Sequence, residues 1–177
     1  MRVGGIIMNR VILIKYGELS TKKGNRNFFI NTLYNNISNK LKAYKVKIKK
    51  DRARMLIMFD DDNLDDIIKI VSKIFGIHSF HLAYVCNSIE NDIKEKLLEI
   101  VNNVDFNTFK IETKRCDKSF PIHSQDFNRV LGGLLLKNID NIKVDVHNPD
   151  LKIKVEIREE NTFIYYTSFK GCGGYPC

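Results

Sequence analysis

The sequence lacks most features of secreted, membrane-spanning or metal-binding proteins. It has only four cysteines, Cys86, Cys116, Cys172 and Cys177, which are spaced too widely for a paired metal knuckle. Its apolar runs are far shorter than the roughly 20 residues of a membrane helix, and the opening MRVGGIIMNR lacks the apolar stretch of a secretory signal. We therefore expect a soluble cytoplasmic protein with no membrane partner, whose thiols stay reduced. Only the pair Cys172 and Cys177 is left without an assignment.

Acidic residues are scarce at the start of the chain. Residues 1–60 carry 14 Lys and Arg against 3 Asp and Glu, a balance of +11, whereas the whole chain has a net charge of +8. Such a basic segment attracts phosphate polymers through counterion release. A solvated lysine-rich surface would have the same composition, so charge alone leaves both interpretations open.

Apolar periodicity predicts a first unit with the order βαββαβ. The pattern contains a strand over 11–16, a helix over 25–42 capped by Asn25, a hairpin of 44–50 and 55–59, a helix capped within 60–63, and a strand over 78–86. This order is typical of the ferredoxin-like shape, in which two helices cover one face of a sheet. The cysteines of an iron–sulfur cluster are absent from the sequence.

A second unit of mixed α/β type follows. Its pattern predicts a helix capped by Ser88, a strand over 107–115, a helix beginning at Ser124, and a hairpin of 151–159 and 162–169 that turns at Glu160 and Asn161. The predicted fold class is therefore α+β, with a ferredoxin-like domain over residues 9–76 and a mixed α/β domain over 77–170. A boundary just beyond Cys86 is the alternative.

The run KRCDKSFPIHSQDFNR, residues 114–129, places Lys114, Arg115, Lys118 and Arg129 around a predicted helix start. The N-terminus of a helix favours anions, because its unpaired amides and its dipole both attract negative charge. Phe120 could offer a flat face on which an unpaired base stacks, or it could be buried beneath the loop. The run therefore fits an RNA-binding pocket, but also a charged loop before an ordinary helix.

Gly132 and Gly133 stand together within the predicted helix that follows. Each costs a helix interior roughly 1 kcal/mol relative to alanine. Adjacent glycines therefore suggest that something approaches the helix backbone closely. That neighbour could be a ligand or another strand of the same domain.

Four segments in order resemble the amino-terminal half of the tRNA 4-thiouridine synthetase family, the tRNA sulfurtransferases that are also linked to thiamine biosynthesis. The segments are KYGELSTKKGNRNFF (15–29), KRCDKSFPIHSQDFNRVLGG (114–133), VDVHNPDLKIKVEIRE (144–159) and GCGGYP (171–176). The resemblance implies that the first unit is the family's ferredoxin-like domain. It also implies that the second unit is a THUMP domain, an RNA-binding module that engages the tRNA acceptor end.

In this family the GGYP-like segment leads into a PP-loop ATP pyrophosphatase domain with an SGGxDS loop, and these residues contain no such loop. The resemblance thus implies that residues 171–177 begin a linker to a missing catalytic domain. The family reaction is ATP- and Mg²⁺-dependent adenylation of the uridine at tRNA position eight, followed by sulfur transfer from a persulfide carrier such as a cysteine desulfurase. We expect this chain alone to be inactive, with no catalytic residue, metal or cofactor of its own, and a homodimer is possible.

The resemblance assigns RNA binding to a first set of residues in the second unit: Lys114, Arg115, Lys118, Phe120, Ser124, Gln125 and Arg129. A second set in the first unit comprises Lys22, Lys23 and Arg26, near Glu18, which could serve only to shape a turn. The third motif, with Asn148 and Pro149, is interpreted as a structural turn.

Two other classes of protein remain possible from the sequence. A different tRNA-modifying enzyme, such as a methyltransferase, could carry the same THUMP module. A non-enzymatic cationic domain could instead bind acidic surfaces or membranes.

Overall fold

The structure is a computed structural model that describes residues 2–3, 6–7, 10–16, 23–51 and 53–172, with side chains described from residue 10 on and, within the first helix, from residue 25 on. In chain order its elements are β1 (Arg2–Val3), β2 (Ile6–Ile7), β3 (Arg10–Tyr16), α1 (Lys23–Lys40), β4 (Val46–Lys50), β5 (Arg54–Phe59), a 3₁₀ turn (Asp61–Asn63), α2 (Leu64–Val71), β6 (Ile77–Asn87), α3 (Glu90–Val101), β7 (Thr108–Arg115), α4 (Ser124–Asn138), β8 (Lys143–Val144), β9 (Leu151–Ile157), β10 (Asn161–Tyr165) and β11 (Phe169–Lys170).

These elements form two compact units, and their division differs from the predicted boundary after residue 76. The first unit comprises Met1–Ala83 with Thr167–Cys177, and the second comprises Tyr84–Tyr166. Residues 77–83 go with the first unit because Ile77 and Phe80 are buried in its core. Residues 167–170 also go with it, since β11 pairs with β6 at Phe80 and Ser79.

The first unit confirms the predicted βαββαβ order. Its main strands lie in the order β4-β5-β3-β6, and β5 is antiparallel to both β4 and β3. The strands alternate as the sequence pattern requires, so that Ile12, Ile14 and Ile57 face the helices. Helices α1 and α2 both contribute to that one core, with Leu33, Ile37, Leu41, Ile67 and Val71.

The second unit is built around β7. This strand is parallel to β9 from Phe109 to Arg115, and parallel to the short β8 only at Thr108 and Phe109. The antiparallel hairpin of β9 and β10 is confirmed. Helices α3 and α4 cover one sheet face with a core that includes Ile93, Leu97, Phe127, Leu131, Leu135, Ile111, Ile153 and Val155.

Two predicted helix caps are wrong, although the helices themselves are confirmed. Asn25 lies inside α1, which begins at Lys23. The Ser88 hydroxyl donates to the carbonyl oxygen of Arg158 at 2.6 Å and so joins two segments instead of capping α3. The predicted start of a helix at Ser124 is confirmed, and the cap position before it is held by His123 without a side-chain hydrogen bond.

Within the described residues, no helix combines the length and the apolar character that crossing a membrane requires.

The cysteines differ in their surroundings, which generates a first prediction. Burial raises the pKa of Cys86 to about 12, whereas Cys172 is exposed. Because the thiolate is the reactive form, iodoacetamide at about pH 8 should label Cys172 well before Cys86. The Cys86 rate should keep rising as the pH approaches 12. Peptide mass spectrometry of a time course would measure both rates, and equal labelling would contradict the half-buried position of Cys86.

Candidate nucleic-acid interface

The loop that follows β7 is fixed by its own hydrogen bonds. The Arg115 guanidinium donates to the carbonyl oxygen of Phe120 at 2.9 Å, and the Arg115 amide donates to the Ser124 hydroxyl at 3.3 Å. The Asp117 carboxylate accepts from the amide and the hydroxyl of Ser119. These hydrogen bonds from Ser119 hold the pKa of Asp117 below its usual range. Arg115 and Ser124 therefore shape the loop in this structure.

The structure contradicts a base-stacking role for Phe120. Its side chain is 4% exposed and belongs to the core of the second unit. The ring meets that of Phe127 in an edge-to-face arrangement, with ring centres 5.2 Å apart. Phe120 is thus buried beneath the loop, and no face of the ring is open to a base.

The other predicted cations of this motif lie at the surface. Lys114 and Lys118 are exposed. The Arg129 side chain is 81% exposed and lies 3.3 Å from the Asp126 carboxylate, one turn earlier in α4. Exposed ion pairs of this kind contribute about 0 to 1 kcal/mol, so Arg129 can exchange its carboxylate partner for a phosphate at little cost.

A groove of about 680 Å³ runs between α4 and the outer edge of β7, and we call it the α4–β7 groove. Its strand side is formed by residues 109–113 of β7, with Val144 and Val146 beside them. Its helix side consists of residues at helical spacing on one face of α4: Gln125, Asn128, Arg129, Gly132, Gly133 and Leu136. The groove thus brings together Gln125 and Arg129 of the predicted residues, but not Lys114, Lys118 or Phe120.

Gly132 and Gly133 face free space in this groove. A Cβ atom added to either glycine would meet nothing within 4 Å in the described chain. The two glycines therefore do not make room for another strand of the domain, which was one of the two explanations left open by the sequence. The space above the helix backbone is available to a ligand.

The strand side of the groove has a balanced charge. Glu112 lies 3.1 Å from the Lys110 ammonium and 3.5 Å from that of Lys152. Burial alone would raise the pKa of Glu112, but the hydrogen bond from Lys110 and the charge of Lys152 hold it below its usual value. The carboxylate is thus ionised and neutralised, and it does not leave the groove acidic.

Sequence reasoning missed Asn128. Its side-chain oxygen accepts a hydrogen bond from the amide of Thr113 in β7 at 2.8 Å. The spacing of three residues after Gln125 and four before Gly132 places Asn128 on the same helix face. That spacing is the signal that could have identified it.

The first-unit candidates are only partly described. Lys22 and Glu18 lie outside the described residues, as does the side chain of Lys23. Arg26 lies in the first turns of α1, half-buried, where its charge acts on the hydroxyl of Tyr16. That hydroxyl lies 3.0 Å from the carbonyl oxygens of both Asp51 and Arg54. Burial is the main cause that raises the pKa of Tyr16.

The third motif forms the predicted turn. The amides of His147 and Asn148 both donate to the carboxylate of Asp145, at 3.1 and 3.0 Å. The hydrogen bond from Asn148, followed by the one from His147, lowers the pKa of Asp145. The segment is therefore structural, and it precedes β9.

Two family models divide the chain in the same way as the two units. The model of the ThiI ferredoxin-like domain matches residues 11–81, and the THUMP domain model matches residues 87–167. The chain therefore belongs to the proteins that combine these two domains.

The predicted resemblance to tRNA sulfurtransferases is confirmed. The chain is 42% identical over 168 residues to a probable tRNA sulfurtransferase of Geobacillus sp. and 45% identical over 168 residues to that of Bacillus velezensis. Each match covers 93% of this chain and 42% of the relative. A crystal structure of a 4-thiouridine synthetase in complex with RNA and bound ATP is 31% identical, with a TM-score of 0.80, over 95% of this chain and 43% of that one. The chain thus spans about two fifths of the length of these relatives.

The burial of Phe120 generates a second prediction. Phe120→Ala should destabilise the second unit by about 3 to 5 kcal/mol, because it removes a buried aromatic ring and leaves a cavity. Phe28→Ala is the matched control, since that ring is 74% exposed. Thermal or urea denaturation measures both changes. A Phe120→Ala variant as stable as the Phe28→Ala variant would contradict the buried position.

Proposed function

We propose that this chain is the tRNA-binding part of a tRNA sulfurtransferase, and that the α4–β7 groove holds the unpaired nucleotides of the tRNA acceptor end. The observation that carries the proposal is the free space beside the helix backbone at Gly132 and Gly133, where an added Cβ atom would meet no neighbour within 4 Å in the described chain. A phosphodiester chain can approach such a backbone closely. The exposed Arg129 beside it supplies a charge for phosphate.

Two further observations support this assignment. One relative of known structure is a 4-thiouridine synthetase in complex with RNA, and this chain shares its fold over 95% of its own length. The basic balance of residues 1–60 adds a sequence-independent attraction for RNA. In this account the exposed Lys114 and Lys118 contact phosphates, while Arg115, Phe120 and Ser124 keep the loop in shape.

For the whole protein, we propose the reaction implied by the resemblance. ATP would adenylate the uridine at tRNA position eight, and a persulfide carrier such as a cysteine desulfurase would deliver the sulfur. The same sulfur chemistry would serve thiamine thiazole biosynthesis.

We infer that the described residues of this chain do not hold ATP and Mg²⁺. No SGGxDS loop occurs in the sequence, and the described residues include no group of three or more His, Cys, Asp or Glu that could hold a metal ion. We therefore place the ATP-dependent chemistry in a part of the protein outside these 177 residues. The chain alone should bind tRNA in the cytoplasm without modifying it, and dimerisation is compatible with this role.

Binding of the acceptor end is tested by trimming the RNA. The chain should bind intact tRNA more tightly than tRNA that lacks its terminal unpaired nucleotides, because only the former fills the α4–β7 groove. Affinity for both should fall with salt, with a logarithmic slope of roughly −0.7 to −0.9 per phosphate neutralised. Fluorescence anisotropy at several salt concentrations measures both effects.

Two outcomes would contradict different parts of this proposal. Equal affinity for trimmed and intact tRNA would remove the acceptor end from the groove. Equal binding to tRNA, heparin and anionic vesicles would instead favour a cationic domain without RNA selectivity.

Gly133→Ala separates stability from binding. The change should stabilise α4 by about 1 kcal/mol, because alanine is the better helix former and its methyl group meets no neighbour. It should weaken binding of intact tRNA by about 1 to 3 kcal/mol, since the methyl group intrudes on the bound strand. Melting curves and anisotropy measure the two effects on one protein.

Val130→Ala is the control for this experiment. Val130 lies in α4, is 36% exposed and does not line the groove. It should therefore leave tRNA affinity unchanged. Unchanged affinity of Gly133→Ala as well would show that the bound RNA does not reach the helix backbone.

A further inference from the structure

Asn128 is oriented by the chemistry of its partner. Its amide faces the backbone N–H of Thr113 at 2.8 Å. An N–H group can only donate, so the atom that faces it must be the side-chain oxygen. The two ends of an asparagine amide are often ambiguous, but this hydrogen bond determines which is which. The NH₂ group of Asn128 therefore points away from β7.

That NH₂ group is available to a ligand. Asn128 lines the α4–β7 groove. Its side-chain nitrogen has no hydrogen-bond partner among the described residues. This nitrogen is also not one of their buried side-chain atoms that lack a partner. Because the oxygen is already engaged by Thr113, the residue can offer only donors. A ligand atom that meets Asn128 must accept a hydrogen bond.

The neighbouring groups of the groove favour the same kind of ligand. Arg129 follows directly in α4 and has five donors and no acceptor, and its guanidinium is exposed. The carboxylate in the groove, Glu112, is engaged by two lysines. An electron-rich ligand atom would thus meet donors on the helix side and a neutralised acid on the strand side.

The edge of β7 does not offer an equally good site for an added peptide strand. The amides of Thr113 and Arg115 on this edge are already taken by the side chains of Asn128 and Ser124. A peptide strand needs those amides for its ladder of hydrogen bonds. The groove therefore suits a ligand that accepts from side chains.

We propose that Asn128 is a positioning residue for the RNA strand, which donates from its NH₂ group to an acceptor atom of an unpaired nucleotide in the groove. This inference rests on the proposed function. The acceptor is a phosphate oxygen or an acceptor atom of a base, and the experiment below distinguishes the two.

Asn128→Asp is the informative substitution. The aspartate keeps an oxygen for the Thr113 amide, so the fold should persist, but it replaces the NH₂ donor with a second oxygen. Affinity for tRNA with its unpaired end should fall at least about tenfold. Asn102→Asp is the matched control, because it makes the same charge change at an exposed residue of the same unit that does not line the groove. An equal effect of both variants would overturn the proposal.

A measurement on the unmodified protein removes the influence of the added charge. In a ¹⁵N NMR spectrum, the side-chain NH₂ signal of Asn128 should shift when tRNA with its unpaired end is added, and less with trimmed tRNA. The NH₂ signal of Asn102 should not move. An Asn128 signal that does not respond would overturn the proposal even if Asn128→Asp bound weakly, since repulsion alone would then explain the loss.

Binding to tRNA with abasic sites in its unpaired end distinguishes a phosphate acceptor from a base acceptor. If Asn128 contacts a phosphate, the ratio of wild-type to Asn128→Asp affinities should be the same for abasic and intact ends. If it contacts a base, the ratio should fall to that of the control. If the wild-type chain binds trimmed and intact tRNA equally tightly, the proposed function itself is refuted. If trimming lowers the affinity of wild type and of Asn128→Asp by the same factor, only the role of Asn128 is refuted.

Discussion

Beyond Phe109, the outer edge of β7 is covered by a helix instead of a strand, and the organisation of the second unit depends on this pairing. Leu131 and Leu135 hold α4 in the core, while Ser124 and Asn128 on another face accept the edge amides of Arg115 and Thr113. Two side chains thereby satisfy backbone donors that an exposed edge would offer to other chains. Because α4 meets the edge only through side chains, a groove remains between them.

An ion pair beside this groove can exchange its carboxylate for a phosphate. Arg129 pairs with Asp126, and Lys110 and Lys152 pair with Glu112. Such exposed pairs contribute little to the free energy of folding. A phosphate that replaces Asp126 as the partner of Arg129 therefore costs the fold little, whereas Lys110 and Lys152 keep Glu112 neutralised. In the predicted cluster of cations, Arg129 pairs with a carboxylate and Arg115 donates to a carbonyl oxygen, whereas Lys114 and Lys118 are exposed.

Local sequence patterns predicted the helices and strands better than they predicted which strands pair with each other. Alternation and helical spacing identify β3 through β7 and all four helices, because these signals are contained within each segment. The parallel pairing of β7 with β9 joins residues about 40 positions apart, and the two-residue strands β8 and β11 are too short to leave a pattern. The position of Phe120 was equally ambiguous, since an aromatic residue in a basic loop fits both a stacking surface and a core. Asn128 is uncharged, and although its spacing places it on the same helix face as Gln125 and Gly132, its contact becomes visible only once the amide of Thr113 is placed opposite it.

The second unit combines a rigid loop with a helix that is less stable than it could be. The bonds from Arg115 to Phe120 and from Ser119 to Asp117 order the loop before any ligand arrives, so less entropy is lost on binding. Gly132 and Gly133 act in the opposite sense, because each weakens α4 by roughly 1 kcal/mol relative to alanine although the described chain leaves room for a methyl group. Packing within the protein does not explain that cost. The proposed RNA strand against the helix backbone would explain it, and the oriented amide of Asn128 one turn earlier lines the same groove.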